Sequence, residues 1–155
     1  MTSQPRISVI GAGECDDAVR ASAHRLGELN AARGWKLVCG GRGGVMQAVC
    51  QGARDAGGQT IGILPGLDQG DANPYIETAV VTGLGQMRNL LVVMNGDLVI
   101  ALEGGYGTLS EVALALKAER TVIAMGTWKV IPGVIPASGP EEAVQLATRD
   151  LKQSA

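Results

Sequence analysis

The chain contains no phenylalanine and few other aromatic residues. Two tryptophans and two tyrosines make up 3% of its 155 residues, so any core has to be built from Val, Leu, Ile, Ala and Met. Base stacking needs aromatic platforms, and binding to a phosphate backbone needs clustered basic residues. The net charge is −2 and no basic run is present. We therefore expect no nucleic acid among the partners.

Cysteine and histidine are also scarce. Cys15, Cys39 and Cys50 form no CxxC pair, and His24 is the only histidine. This pattern argues against a disulfide framework and against a metal site. The longest apolar runs have the length of strands, and the N-terminus shows no charged-then-apolar signal pattern. The sequence therefore predicts neither a membrane span nor export, and the cytoplasm is the expected location.

Glycine, in contrast, is abundant. The 23 glycines lie in a chain that is 46% hydrophobic and 18% charged, which is typical of a globular protein with many tight turns. Its length predicts a single domain over residues 1–155. No internal repeat or linker is visible.

Apolar runs alternate with helical patterns along the whole chain. The predicted strands cover residues 6–11, 35–39, 60–64, 76–81, 98–102 and 121–124. Helices are predicted at about 16–33, from 46 onward to Gly57, and over 86–94, 108–117 and 141–151, with a loop over 126–140. Continuously apolar strands separated by helices pair in parallel and are covered on both faces. The predicted class is α/β, a three-layer, doubly wound, mostly parallel Rossmann-like sheet of about six to seven strands.

Three glycine-rich turns lie between a predicted strand and a predicted helix, at residues 11–16, 40–44 and 103–111. Glycines let the backbone approach a ligand closely, and the N–H groups at a helix start attract phosphate without a basic side chain. In doubly wound sheets, ligands bind at the carboxyl ends of the strands near the switch in strand order. We therefore expect the three turns to converge on one phosphate site.

The first two turns each have a plainer interpretation. The first begins Gly11-Ala12-Gly13, like a dinucleotide fingerprint, but Asp16 takes the place of the third glycine. The second strand also ends without the ribose-binding acid, so an NAD-dependent dehydrogenase is disfavoured and a plain tight turn remains the alternative. The second turn places Arg42 among four glycines, which suits a pyrophosphate or ribose-phosphate group. A purely structural turn with a solvated Arg42 is the alternative there.

The third turn and Arg88 leave further alternatives open. Thr108 and Glu111 have the spacing of a T-x-x-E capping box, in which Glu111 is only a cap partner. Tyr106 either lines a ligand or covers the turn. Arg88 is the one cation in the apolar segment 87–94, and it either reaches an anionic ligand or pairs with a carboxylate at an interface. The wide apolar surface of this helix predicts a homo-oligomer, a dimer or tetramer.

Taken together, four motifs in order resemble the molybdenum cofactor carrier branch of the Lonely Guy-like Rossmann superfamily, also called lysine decarboxylase-like or SLOG. These motifs are Gly40 to Met46, Thr60 to Gly66, Met87-Arg88-Asn89 and Gly104 to Glu111. The resemblance spans nearly the whole chain. It implies the Rossmann-like fold and a phosphorylated small molecule as partner.

The superfamily contains phosphoribohydrolases and carrier proteins, and the resemblance implies different roles for the same residues in each. Lonely Guy phosphoribohydrolases carry Pro-Gly-Gly-x-Gly-Thr-x-x-Glu, and similarity to them places catalytic roles on Glu111 and Arg88. Here Glu103 replaces that proline, and Asn89 stands where a lysine usually follows the arginine. Carrier-type relatives are more similar at Arg88-Asn89 and at Thr127-Trp128, and they bind the pterin cofactor without turning it over.

The resemblance and the turns together define the expected function. The preferred function is a carrier or storage protein for the molybdenum cofactor, with a nucleotide phosphate as the other candidate ligand and no covalently bound cofactor. The alternatives are a nucleoside 5′-monophosphate phosphoribohydrolase and a nucleotide-sensing or structural oligomer. Lysine decarboxylase activity is not expected, because none of the four lysines lies in a glycine-rich turn. The expected ligand-binding residues are Gly11, Gly13, Gly41, Arg42, Gly43, Gly44, Arg88, Asn89, Gly104, Gly105, Tyr106, Gly107, Thr108 and Glu111.

Overall fold

The computed structural model describes residues 3–154 and contains one seven-stranded sheet. Its strands are β1 (Arg6–Ile10), β2 (Lys36–Cys39), β3 (Thr60–Leu64), β4 (Thr78–Val81), β5 (Leu98–Ala101), β6 (Val122–Ala124) and β7 (Ile135–Pro136). The α-helices are α1 (Asp17–Ala32), α2 (Val45–Asp55), α3 (Arg88–Met94), α4 (Tyr106–Lys117) and α5 (Pro140–Gln153). Every strand pairing is parallel. The predicted doubly wound α/β class is therefore confirmed.

Strand β5, near the centre of the sheet, is apolar at every position because both faces of the sheet are covered. In β5, Leu98 and Ile100 pack into the core under α1, α2 and α5, while Val99 and Ala101 pack into the core under α3 and α4. Successive strand residues point to opposite faces, so each layer of helices receives every second side chain. No helix within residues 3–154 is both long and apolar enough to cross a bilayer.

Helices α1 and α2 pack closely through two glycines. A Cβ atom on Gly27 would lie 2.0 Å from the carbonyl oxygen of Val49, and one on Gly52 would lie 1.9 Å from the carbonyl oxygen of His24. Both positions are therefore closed to any side chain. The His24 ring bridges Glu28 and Asp55 across the same pair of helices, at 3.3 and 2.9 Å.

The strand order is β4-β3-β2-β1-β5-β6-β7, which puts the switch in winding direction between β1 and β5. Chain segments leaving these two strands diverge, and a crevice opens where they separate. The backbone N–H of Ala12 donates to the carbonyl of Glu103 at 2.7 Å, so the first and third glycine turns touch directly. The first and third of the predicted turns thus meet at the switch point.

Three local predictions are wrong. Helix α4 begins at Tyr106 with Gly105 as its N-cap residue, so Thr108 and Glu111 lie inside the helix and form no capping box. The helix predicted over residues 86–94 begins at Arg88, after a 3₁₀ turn at Gly85–Met87. The predicted loop 126–140 contains a 3₁₀ turn, Gly126–Val130, and the edge strand β7. An edge position tolerates Pro136, which as a sequence signal argues against a strand.

Candidate functional site

A cleft of about 290 Å³ opens at the switch point between β1 and β5. It lies between the turn after β1, the start of α3 and the first two turns of α4. Most of its lining is glycine backbone and polar side chain. The lining residues are Gly11, Ala12, Gly13, Met46, Gln86, Arg88, Asn89, Gly105, Gly107, Thr108 and Glu111.

The start of α4 presents free backbone donors to this cleft. No side chain caps the helix, so the first N–H groups have no partner from a cap residue. A Cβ atom built on Gly13, Gly105 or Gly107 would meet nothing within 4 Å. The backbone therefore faces open space there, and a ligand can approach it as closely as its N–H groups require. Free donors of this kind, together with the positive end of the helix dipole, are the features with which helix starts bind anions in general.

Arg88 is held in one position beside this helix start. Its Nε donates to the carbonyl of Ile63 at 2.9 Å, and its Nη2 donates to the carbonyl of Gly40 at 3.4 Å. Its Nη1 donates to the side-chain oxygen of Asn89. A guanidinium group has five N–H donors, so two remain for a ligand. Burial lowers the pKa of Arg88, but an arginine remains charged in proteins.

Asn89 connects Arg88 to the start of α4. The side chain of Asn89 is only 3% exposed, and its Nδ2 donates to Ser110 Oγ at 3.0 Å. The Ser110 hydroxyl donates in turn to the carbonyl of Gly107 at 2.6 Å. A lysine at position 89 could accept nothing from Arg88. Asn89 therefore fixes both the guanidinium and the glycine turn, which accounts physically for asparagine at this position.

Glu111 is a buried acid facing Arg88. It is 7% exposed, and within residues 3–154 no group donates a hydrogen bond to its carboxyl. Burial raises its pKa to about 8, and the nearby charge of Arg88 offsets only part of that effect. No ion pair within 4.0 Å joins the two side chains in the described part of the chain. Glu111 is therefore mostly protonated at neutral pH and can donate a hydrogen bond into the cleft.

The second glycine turn supports the cleft rather than lining it. Gly44 has a φ of 62°, and a Cβ on it would lie 2.3 Å from the carbonyl of Ala12. Val45 N–H donates to that same carbonyl at 2.9 Å, so the second turn positions the first. Gly41, with a φ of 78°, and Gly43 also lie outside the lining. Arg42 is exposed and outside the cleft, although its charge contributes to the lowered pKa of Arg88.

Two further predicted residues lie outside the cleft lining, and three lining residues were not predicted. Gly104 lies outside the lining, and a Cβ on it would come within 2.0 Å of Thr108 Oγ1. Tyr106 is also outside the lining and is 90% exposed. Ala12, Met46 and Gln86 line the cleft although sequence reasoning did not select them. The sequence signals for them are only positional: Met46 ends the motif Gly40 to Met46, Gln86 precedes the motif Met87-Arg88-Asn89, and Ala12 lies between two selected glycines.

A doubly wound parallel sheet with a polar cleft at its switch point defines the Rossmann-like class of fold, in which ligands bind at this edge of the sheet. The sequence pattern of the SLOG cluster4 family matches residues 4–152. This chain therefore belongs to the SLOG cluster4 family, which confirms the superfamily that the four motifs indicate.

Solved structures and sequence relatives are similar to this chain to different extents. The molybdenum cofactor binding protein of Rippkaea orientalis superposes with a TM-score of 0.93 and 40% identity, covering 97% of this chain and 99% of that one. The molybdenum cofactor carrier protein of Chlamydomonas reinhardtii gives 0.87 and 32%, with 97% and 99% covered. A cytokinin riboside 5′-monophosphate phosphoribohydrolase of Mycobacterium tuberculosis is 36% identical over 92 residues, which are 57% of this chain and 49% of that enzyme.

Proposed function

We propose that this protein binds a phosphorylated, nucleotide-like ligand in the β1–β5 cleft and serves as a carrier or storage protein for the molybdenum cofactor, a phosphorylated pterin. One observation carries the proposal: the uncapped start of α4 opens onto bare glycine backbone beside Arg88, whose guanidinium is fixed and has two donors free. The similarity to two molybdenum cofactor proteins over nearly the full length of the chain supports the choice of ligand.

Different cleft residues contact different parts of the ligand. The α4 N–H groups and Arg88 bind the phosphate, as helix starts and guanidinium forks do in general. Protonated Glu111 donates a hydrogen bond to a ligand oxygen and fixes the orientation of the ligand. None of these contacts breaks a bond in the ligand, so they suit a protein that holds its ligand and releases it unchanged.

The second candidate is hydrolysis of a nucleoside 5′-monophosphate between base and ribose. Its supporting observations are that Glu111 is not engaged in capping and that it shares the cleft with Arg88. A carboxylate that stabilises a developing ribosyl cation or activates water must be ionised. Burial keeps the pKa of Glu111 near 8, which leaves only a minor ionised fraction at neutral pH. A bound phosphate would add negative charge and raise that pKa further. Carrying is therefore favoured over hydrolysis.

A third candidate is a nucleotide-sensing or structural oligomer. The exposed apolar side chains in and before α3 support association of the chain. Met87, Leu90 and Met94 are 77%, 43% and 41% exposed along α3 and the turn before it. Large exposed apolar surfaces mark sites of association. We propose that copies of this chain associate through this surface as a dimer or tetramer, and that the protein works in the cytoplasm. A sensor would bind mononucleotides without binding the pterin.

Incubation with AMP separates the candidates. The carrier proposal predicts no release of adenine at an enzymatic rate, whereas a phosphoribohydrolase releases adenine and loses that activity in Glu111→Gln. A thermal-shift screen with mononucleotides and pterin phosphates identifies the ligand class, because selective binding to the folded state raises the apparent stability. Release of adenine that depends on Glu111 would overturn the carrier proposal, and the absence of any shift would favour a purely structural role.

A further inference from the structure

A second cavity, here called the side pocket, lies on the other side of the turn after β1. Its volume is about 220 Å³, and it is bounded by α1, the ends of β5 and β6, and the start of α5. Val19, Leu102 and Met125 supply apolar walls, and Ser22, Ser138 and Glu103 supply polar groups. Among residues 3–154, no basic side chain lines this pocket. The side pocket therefore suits a neutral ring with hydrogen-bond donors rather than another phosphate.

Glu103 is held rigidly at this pocket. The backbone N–H of Thr127 donates to its Oε1 at 3.1 Å, and the Thr127 hydroxyl donates to its Oε2. Gly126, with a φ of 78°, comes so close that a Cβ there would lie 1.8 Å from Glu103 Oε1. Each carboxylate oxygen can accept a second hydrogen bond. The fold thus fixes a carboxylate and leaves acceptor positions on it unused.

The side pocket and the cleft adjoin each other. Ala12 lines the cleft and donates its N–H to the carbonyl of Glu103, which lines the side pocket. Gly105, two residues after Glu103, already faces the cleft. A ligand with its phosphate at the start of α4 can therefore extend past this contact into the side pocket.

We infer that the two cavities together bind a bipartite ligand, with the phosphate in the cleft and a 2-amino-4-oxopyrimidine ring, as in guanine or a pterin, in the side pocket, where Glu103 accepts from its adjacent N–H and NH₂ groups. This inference rests on the proposed phosphate site and extends it. A carboxylate that accepts two parallel N–H bonds gives both energy and selectivity. Adenine has no such pair of adjacent donors, so Glu103 distinguishes the two kinds of ring.

Titration calorimetry with three probes tests the inference. AMP measures the cleft alone, diadenosine pyrophosphate adds a ring without the donor pair, and guanosine-adenosine pyrophosphate adds a ring with it. We expect the guanosine compound to bind roughly tenfold more tightly than the diadenosine compound, which is the discrimination that a good bidentate contact provides. Glu103→Gln should reduce that ratio to below about threefold and leave AMP affinity unchanged.

Filling the side pocket provides the steric test. Ser22→Trp should abolish the advantage of the guanosine compound over AMP, whereas Ala21→Trp, on the exposed side of the same helix, should keep it. Retained AMP binding shows that each variant is folded. A parallel titration with 6-hydroxymethylpterin pyrophosphate separates the two ring sources: tighter binding than the guanosine compound, lost in Glu103→Gln, assigns the pocket to a pterin.

Two different results would overturn different claims. If AMP binds and the three nucleotides bind equally, or if Glu103→Gln leaves their ratio unchanged, the side pocket is not a ring site and only this inference fails. If none of the phosphate compounds binds, the proposed phosphate site fails as well.

Discussion

Glu111 is the residue whose chemistry separates holding a ligand from cleaving it. Its carboxyl is buried, and no group in the described part of the chain donates a hydrogen bond to it. The facing guanidinium of Arg88 does not compensate for the lost solvation, so the pKa of Glu111 rises to about 8 from an ordinary value of 4.5. Such a group is costly to ionise and is kept where function needs it. Two predictions follow at the scale of single residues.

The first concerns the pH dependence of stability. Between about pH 4.5 and 8 the unfolded chain releases the Glu111 proton while the folded chain keeps it, so the group lowers the free energy of unfolding by about 1.4 kcal/mol per pH unit. We expect Glu111→Gln to match the wild type near pH 4.5 and to become several kcal/mol more stable than it by pH 9. Urea denaturation at pH 5, 7 and 9 measures this, with Glu14→Gln as an exposed control. Parallel pH curves for Glu111→Gln and the wild type would contradict the buried, protonated acid.

The second prediction for a single residue concerns the guanidinium of Arg88. Arg88→Ala removes the fixed cation and its free donors, and Arg88→Lys keeps the charge but loses the fork. We expect at least about a tenfold loss of affinity for a phosphate ligand in Arg88→Ala, since charge-assisted hydrogen bonds contribute about 1.5–3 kcal/mol, and a smaller loss in Arg88→Lys. Arg20→Ala, on the exposed side of α1, is the matched control. Equal affinities in all three variants would remove Arg88 from the site.

At the scale of elements, the close contact of α1 and α2 depends on the missing side chains of Gly27 and Gly52. Helix backbones this close leave no room for a methyl group, so both positions are structural, although a glycine inside a helix lowers helix propensity. Sequence patterns predicted both helices. They did not predict this contact, because it depends on how the two helices pack after they form.

Gly52→Ala should therefore destabilise the protein by about 1–3 kcal/mol through overpacking, despite the better helix propensity of alanine. Gly107→Ala is the matched control, because that glycine also lies in a helix but a Cβ there meets nothing within 4 Å. It should leave stability unchanged or raise it by up to about 1 kcal/mol. Thermal and urea unfolding measure both variants. A stabilised Gly52→Ala would mean that the helices do not pack as described.

Some elements of the site could be predicted from the sequence and others could not. The alternating pattern and the glycine turns predicted the sheet and the convergence of three turns at the carboxyl edge of its strands, because strand ends and parallel pairing follow from local signals. The structure brings the first and third turns together, while the second turn lies outside the cleft lining. The start of α4 was predicted two residues late, because Thr108 and Glu111 have the spacing of a capping box although the helix begins at Tyr106. The contact of the second turn with the first at Gly44 could not be predicted from the sequence, because it joins distant parts of the chain.

At the scale of the whole molecule, the exposed apolar side chains of α3 lie next to the cleft. Leu90 belongs to the same helix as Arg88 and Asn89, so association through α3 would also stabilise the ligand site. We expect the wild type to sediment as a dimer or tetramer and Leu90→Glu to shift it towards the monomer, since a charge buried at an interface is unfavourable. Val130→Glu, at an exposed apolar residue in the 3₁₀ turn Gly126–Val130, is the control. A monomeric wild type would contradict this prediction.

The central claim is that the β1–β5 cleft holds a phosphorylated pterin without chemically changing it. Anaerobic titration calorimetry of the wild type and Arg88→Ala with molybdopterin, followed by analysis of the recovered compound, tests it most directly. We expect saturable binding by the wild type, at least about tenfold weaker binding by Arg88→Ala, and recovery of intact molybdopterin. Absence of binding, equal binding by both proteins, or recovery of a cleaved product would contradict it.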